Sequence, residues 1–329
     1  MSILVAPDSF KGTFTAGEVA GHIAAGIRAA GGTAVELPVA DGGEGTFEML
    51  VRGLDARPAR VSTLGPWGDP VEAAIGLAAD GTAVVELAFA SGLNLPSAGD
   101  RNPVAASTYG TGVLIAEAVR HGARRILVAA GGSATTDGGA GAITAIEERG
   151  GLRGADIVIL SDVTTRFNDA ARVFGPQKGA DRATVEVLTR RLELLADSFA
   201  SEYGRDPRPV DRTRAAGGFS AGMWARYGAD LVSGADYVLD LLGFDSQLAA
   251  SSAVVVGEGC LDSQTSQGKI IAAILARAGT TPVYAVVGSV DPDPGDFADS
   301  FAGIIVAGDP GAMAASGAEL VRATAPAGR

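Results

Sequence analysis

The stretch ILVAPDSFKGTFTAGEVAGHIAAGIRAAGG, residues 3–32, decides the fold class. Residues 3–6 are apolar and strand-forming, and Asp8 to Thr13 is a polar loop. Thr15-Ala-Gly-Glu18 is then a capping box ahead of Val19, Ile23 and Ile27 at helical spacing. Gly31-Gly32 stops that helix. A strand, a loop and a helix in this order are the building block of a helix-covered parallel sheet. A second such unit follows: Ala34–Val39 reads as a strand, Asp41-Gly-Gly-Glu44 as loop and cap, and Thr46–Val51 as a short helix.

From about residue 58 the texture changes to short β-rich stretches separated by Gly65-Pro66, Gly68-Asp69-Pro70 and Asp80-Gly81, which predicts hairpins. Helix and strand resume with Thr111–His121, Arg125–Ala130, a glycine-rich loop, Ala140–Glu148 and Ile157–Leu160. Val187, Leu188, Leu192, Leu195 and Phe199 have helical spacing over 184–202. Beyond about 236 the strand-helix rhythm returns, with strands at Tyr237–Leu242, Ala253–Val256, Pro282–Val287 and Gly303–Ala307 and helices around Lys269–Ala278 and 312–323. No internal repeat of fixed period occurs. The ends read as one doubly wound α/β domain, 1–57 plus 236–329, and 58–235 as an α/β insertion.

The composition sets limits on function. At 329 residues and 47% apolar, with no run of about 18 apolar residues, the chain reads as globular rather than disordered or membrane-spanning. The N-terminus lacks the basic and apolar regions of a secretory signal, and one cysteine, Cys260, excludes an internal disulfide. With only His22 and His121 besides, zinc is disfavoured and a cytoplasmic location is expected. His121 sits where a cation suits the end of a helix, and His22 lies off the apolar stripe of its own. A net charge of −12 disfavours nucleic acid and anionic membranes as partners, so an anionic substrate needs a locally positive pocket. Of the 26 basic residues only Lys11, Lys178 and Lys269 are lysine, and each adjoins a glycine. In a chain that otherwise uses arginine, a compact ammonium in such a setting suits a phosphate site.

Five polar, glycine-containing segments follow apolar runs: Asp8–Thr13, Ala40–Thr46, Gly131–Gly139, Ser161–Val163 and Gly257–Thr265. In open α/β sheets such segments gather at the carboxyl ends of the strands, where ligands bind. Gly131-Gly-Ser-Ala-Thr-Thr-Asp-Gly-Gly139 is the best phosphate cradle: Gly131, Gly132, Gly138 and Gly139 allow close backbone approach, while Ser133, Thr135 and Thr136 add hydroxyls. Asp137, Asp162, Glu258 and Asp262 are candidates to hold Mg2+ or orient groups, and Asp8 and Asp41 to contact substrate or act as base. Equally, Asp41 reads as an N-cap and Asp137 as a turn residue. Arg101, beside Asn102, is a candidate for a substrate carboxylate or a surface residue. Walker A, dinucleotide-binding and serine-hydrolase motifs are all absent: Gly268-Lys269 precedes Ile270, Gly110-Thr-Gly112 is followed by Ile115, and Gly131-Gly-Ser133 by Thr135.

At these residues the sequence resembles the bacterial glycerate kinase family of the first type. APDSFKGTFTAGEVA (6–20), PVADGGEGT (38–46), RNPVAASTYGTG (101–112), GGSATTDGGAG (131–141), SDV (161–163), VFGPQKGA (173–180), AAGGFSAG (215–222) and GEGCLDSQTSQGK (257–269) carry the resemblance in order. It implies a kinase using ATP and Mg2+ on D-glycerate, favouring 2-phosphoglycerate, with a flavodoxin-like domain from both chain ends and an inserted α/β domain. By motif position it implies catalytic roles for Asp8, Lys11, Asp41, Asp137, Asp162 and Lys178, the third and fourth carboxylates also holding Mg2+. Ser9, Glu44, Arg101, Asn102, Glu258, Asp262 and Lys269 are implied to bind substrate, and Gly131, Gly132, Ser133, Thr135, Gly138, Gly139 and Gln177 the nucleotide. The chain departs from the family where a stretch is missing between Glu148 and Ala155 and where Thr164-Thr-Arg-Phe167 replaces an Asn-Pro-Leu-like segment. The rival reading is a non-catalytic nucleotide or sugar-acid sensor on the same fold. Whether the chain forms a homo-oligomer is left open.

Overall fold

The computed structural model describes residues 2–10, 12–40, 43, 45–163, 166–261, 270–293 and 296–324. The chain begins β1 (Ser2–Pro7), α1 (Ala16–Ala29), β2 (Thr33–Glu36) and α2 (Thr46–Gly53). β3 (Arg57–Leu64), β4 (Pro70–Leu77) and β5 (Thr82–Glu86) lead into α3 (Ala88–Ser91), α4 (Tyr109–Arg120), β6 (Arg125–Ala129), α5 (Ala140–Glu148) and β7 (Asp156–Leu160). α6 (Ala170–Phe174), α7 (Arg182–Tyr203), α8 (Ala215–Tyr227) and β8 (Asp230–Val232) follow. Then come α9 (Gly234–Leu241), α10 (Phe244–Ala249), β9 (Ala253–Leu261), α11 (Ile270–Ala278), β10 (Val283–Val290), β11 (Gly303–Val306) and α12 (Pro310–Thr324).

Contacts divide the chain into two units, Met1–Asp41 with Ala235–Arg329, and Gly42–Gly234. In the first, the parallel sheet has the order β11-β10-β9-β1-β2. Numbered within the unit and read from its other edge this is 2-1-3-4-5, the doubly wound order of flavodoxin-like folds. β1 shows why helices cover both faces. Ile3 and Val5 pack with Val19, Ile23 and Ile27 of α1 and Met313 and Leu320 of α12. Leu4 and Ala6 face the other way, toward Leu239, Phe244, Ile271 and Ile274. A strand period of two thus buries both faces of the sheet. The capping box of α1 forms as read: Thr15 Oγ1 accepts from Glu18 N at 3.2 Å, and Glu18 Oε2 from Thr15 N at 2.8 Å. Helices α1 and α12 touch backbone to backbone, because a Cβ on Gly26 would stand 1.8 Å from Ala314 O.

Three sequence expectations change in this region. Tyr237–Leu242, read as a strand, lies in helix α9 apart from its last residue, and the buried positions Ala235, Val238 and Leu239 have helical rather than alternating spacing. Gly257–Leu261, read as loop, continues β9 with Glu258 opposite Val287 and Leu261 opposite Val290. Helix α2 is capped by Gly45 in a left-handed conformation, and it packs in the second unit, where Phe47 meets Phe89 and its amide donates to Glu86 Oε2 at 3.1 Å. The segment 42–57 therefore belongs with the central unit.

In that unit the sheet order is β3-β4-β5-β6-β7-β8. The hairpins β3-β4 and β4-β5 are antiparallel, turning at the glycine, proline and aspartate signals, and β5 to β8 are parallel. Ile126 and Val128 of β6 pack with Leu114, Ile115 and Ile146 of α4 and α5. A smaller cluster joins Phe167, Ala170 and Ala171 to Leu188, Leu192 and Ala196 of α7 and Ala221 of α8. Val187, read as part of the apolar stripe of α7, is exposed. Residues 149–155 make a tight connection from α5 to β7, with Gly151 N bonded to Ile146 O and Ala155 N to Leu152 O.

Candidate active site

The carboxyl ends of β6 and β7 carry the polar segments of the central unit, Gly131–Gly139 and Ser161–Asp162. The outer part of the first loop, residues 131–133, reaches solvent, and residues 134–139 are buried. The loop is strapped by the end of α3 and the segment after it: Leu93 N donates to Gly132 O at 2.9 Å and Ala134 N to Ser91 O at 2.8 Å. Its inner end is pinned by Asp137. Oδ2 of this buried carboxylate accepts from Thr108 N and Thr108 Oγ1, both at 2.8 Å, and from Gly141 N at 3.2 Å. Its Oδ1 accepts from Gly139 N at 3.2 Å.

Lys178 enters this loop from the turn Pro176–Lys178. Its Nζ donates to Thr135 O at 2.6 Å and to Ser133 Oγ at 3.0 Å. An ammonium has three N–H groups, so one remains beyond these two among the described residues. Since the side chain is only 5% exposed, desolvation pulls its pKa down to about 8, and the nearby Asp137 charge opposes that fall. The hydroxyls of Thr135 and Thr136 are buried with no hydrogen-bond partner among the described residues.

The other wall is backbone. Within α8, Ala216, Gly217 and Gly218 have φ of 51°, 64° and 87°, so the regular helix starts only after this left-handed turn. A non-glycine residue in that conformation costs about 1–2 kcal/mol. The turn lies directly on the loop: Gly138 N donates to Gly217 O at 3.1 Å, and a Cβ on Gly217 would be 2.0 Å from Thr135 O. Gly138 and Gly139, read as part of an open cradle, are buried by this packing, Gly138 against Leu195 and Gly139 against Phe219.

The remaining candidates divide clearly. Asp162 is half-buried just beyond β7, and its Oδ1 accepts from Ser233 Oγ at 2.9 Å. Arg101 is exposed, donates to Leu93 O and Leu95 O at 3.2 Å each, and lies over the Trp67 ring at 5.4 Å. Asn102 caps its own turn, its Oδ1 accepting from Val104 N at 2.9 Å, and Gln177 is exposed. In the other unit Asp8 continues the β1-β9 ladder, its amide donating to Gly257 O at 2.9 Å, and Glu258 lies beside it on β9. Ser9 Oγ is buried without a partner among the described residues. Lys11, Asp41, Glu44, Asp262 and Lys269 lie outside the described residues.

Two contributors were not among the predicted site residues. Thr108 supplies two of the four donors to Asp137 from 29 residues away. Arg212, a non-glycine residue at φ 65°, donates from Nη1 to Ser161 O at 2.6 Å, at the tip of β7.

The family model described as the glycerate kinase family matches residues 3–150 and 147–315. The glycerate kinase of Bacillus subtilis (strain 168) is 38% identical, over 89% of this chain and 86% of that protein. The glycerate 2-kinase of Escherichia coli (strain K12) is 36% identical, over 90% and 87%. Among solved structures, one of a protein named glycerate kinase 2 from Salmonella typhimurium LT2 superposes with a TM-score of 0.83 at 30% identity, covering 98% of both chains. With a family model spanning nearly the whole chain and this agreement in fold, the chain belongs to the glycerate kinase family, enzymes that phosphorylate glycerate.

Proposed function

We propose that the chain transfers the γ-phosphoryl group of ATP to a hydroxyl of D-glycerate, with 2-phosphoglycerate as the favoured product. The observation that supports this most is the Lys178 ammonium, held against Ser133 and Thr135 with an N–H to spare, in a loop beyond a parallel strand. Phosphoryl transfer is catalysed chiefly by positioning and by charge placed where phosphate charge develops. Lys178 supplies that charge, and the Ser133 hydroxyl, accepting from the ammonium, keeps its own proton for a phosphate oxygen. The orphaned hydroxyls of Thr135 and Thr136 are further donors an entering anion would satisfy. The preference for the 2-position follows the family resemblance and the name of the Escherichia coli relative.

Mg2+ in kinase sites is held by one or two carboxylates together with the phosphates, whose charge it neutralises. Asp137 does not suit that task, because both its oxygens already accept hydrogen bonds, four in all. Asp162, half-buried just beyond the carboxyl end of β7 and oriented by Ser233, is the other candidate carboxylate of this unit. We assign Asp137 to holding the loop and Asp162 to the metal. Asp8 or Asp41 would hold or deprotonate the attacking hydroxyl. Ser9, Glu44, Glu258, Asp262 and Lys269 would bind glycerate, and Lys11 would add positive charge.

Purified protein with ATP and Mg2+ should release ADP only when D-glycerate is supplied. No glycerate-dependent ADP with any divalent metal would overturn the proposal, and phosphorus NMR of the product separates the 2- and 3-isomers.

A further inference from the structure

The AAGGFSAG segment, 215–222, shares no polar side chain with the site, yet its backbone is the surface on which the phosphate loop rests. We propose that the left-handed turn Ala216-Gly217-Gly218 is a positioning device for Lys178. It fixes the Thr135 carbonyl that receives the ammonium, and so sets the direction of the ammonium's remaining N–H. This rests on the phosphate-binding role given to Lys178 above.

The geometry is specific. Gly217 leaves no room for a Cβ, which would stand 2.0 Å from Thr135 O and 2.7 Å from Thr136 Cα. On the far side of the turn, a Cβ on Gly218 would stand 3.1 Å from Gly138 Cα and 2.5 Å from the Phe167 ring. The Gly138 N to Gly217 O bond ties the turn to the loop, and Asp137 and Thr108 hold the loop from its opposite side. The Thr135 carbonyl is therefore clamped between the turn and the Lys178 ammonium, which donates to it at 2.6 Å. A carbonyl free to rotate would let the ammonium swing, and charge misplaced by an ångström loses much of its effect on a transition state. The consecutive left-handed residues let the chain present bare backbone to the loop before the helix begins.

The test uses Gly217→Ala and Gly218→Ala, with Gly204→Ala as control. Gly204 caps α7 at φ 66°, and a Cβ there meets nothing within 4 Å, so the control carries the backbone strain without the push. Gly218→Ala is the milder variant, since its closest clash, at 2.5 Å, is with a side chain, whereas that of Gly217→Ala, at 2.0 Å, is with backbone. Two readouts are taken on the full chain: glycerate-dependent ADP release, and the titration of lysine ε-carbons labelled with carbon-13. The chain has only three lysines, and Lys178→Met assigns the relevant signal.

Both turn variants should lose kcat/KM by roughly 10- to 150-fold, the loss of one charge-assisted hydrogen bond at the transition state. Their Lys178 midpoint, about 8 in the parent protein, should rise by about half a pH unit or more as the loosened loop admits water. Gly204→Ala should change neither. Turn variants that fold with parent kinetics and an unmoved Lys178 titration overturn the proposal, as does a loss equalled by Gly204→Ala. Full activity in Lys178→Met would instead sink the phosphate-site reading itself.

Discussion

Lys178→Met should make the protein more stable at neutral pH and inactive, with a stability gain that fades as pH rises. The ammonium is 5% exposed, and burial lowers its pKa from 10.5 to about 8. A cation with a depressed folded pKa opposes folding at pH below 8, and the opposition is relieved between pH 8 and 10.5, where the unfolded chain binds the extra proton. The full shift corresponds to about 3 kcal/mol, of which about 2 kcal/mol is recovered between pH 7 and 9.5. Methionine fills the same volume without the charge but leaves Thr135 O without its donor, at about 1–2 kcal/mol. The variant should thus be about 1–2 kcal/mol more stable than the parent at pH 7 and near parity at pH 9.5. Trp67 and Trp224, the chain's two tryptophans, both lie in the central unit, so their fluorescence in urea reports the unit that holds Lys178. A stability difference that does not change from pH 7 to 9.5 would show that the ammonium is not desolvated and that the loop around it is open.

Thr135→Val and Thr136→Val should leave stability unchanged or slightly raised, since each removes an unsatisfied buried hydroxyl, yet lower kcat/KM by roughly 10-fold or more; urea titration and steady-state kinetics check both. Asp137→Asn should lose about 2–3 kcal/mol of stability because an amide cannot accept from all four donors, whereas Asp162→Asn should melt almost normally and require more Mg2+ for half-maximal rate. If it is Asp137→Asn that shifts the Mg2+ requirement with its melt intact, the two roles are exchanged. Residues 42–234 expressed alone should give a cooperative melt, since that segment contains its own cores, whereas 1–41 alone should not fold; calorimetry of the two fragments decides.

What was legible in the sequence is what local chemistry writes. Thr15 and Glu18 cap α1 as their spacing says, and the glycine, proline and aspartate clusters mark the hairpin turns of β3 to β5. Tyr237–Leu242 reads as a strand because a short apolar run fits a strand or a helix equally, and burial of Ala235, Val238 and Leu239 at helical spacing selects the helix. Gly257–Leu261 has a loop's composition and a strand's partners, which only the pairing with β10 reveals. The glycine-flanked lysines pointed to Lys178, but its partners Ser133 and Thr135 lie 45 and 43 residues away, joined to it by the path of the backbone. A separation of 29 residues likewise hid the bonds by which Thr108 pins Asp137.

Several unfavourable features of the central unit gather at one place, while left-handed Asp55, Arg153 and Arg212 lie elsewhere in the unit. A desolvated ammonium donates into the loop 133–138, two orphaned hydroxyls lie on that loop, and a left-handed alanine lies on the turn pressed against it. Each has a simple remedy of similar shape: methionine for the lysine, valine for a threonine, glycine for the alanine. A core shaped for stability alone would adopt them, as it does along β6, where the buried positions are apolar. Defects that share one loop and its supports are what the proposed phosphate site would need, a place held ready for charge that arrives with a ligand. A bound anion would remove the first two costs together, by neutralising the ammonium and accepting from the hydroxyls. Nucleotide binding should therefore raise the stability of this unit more than its contact area alone would give, and Lys178→Met should lose that excess along with activity.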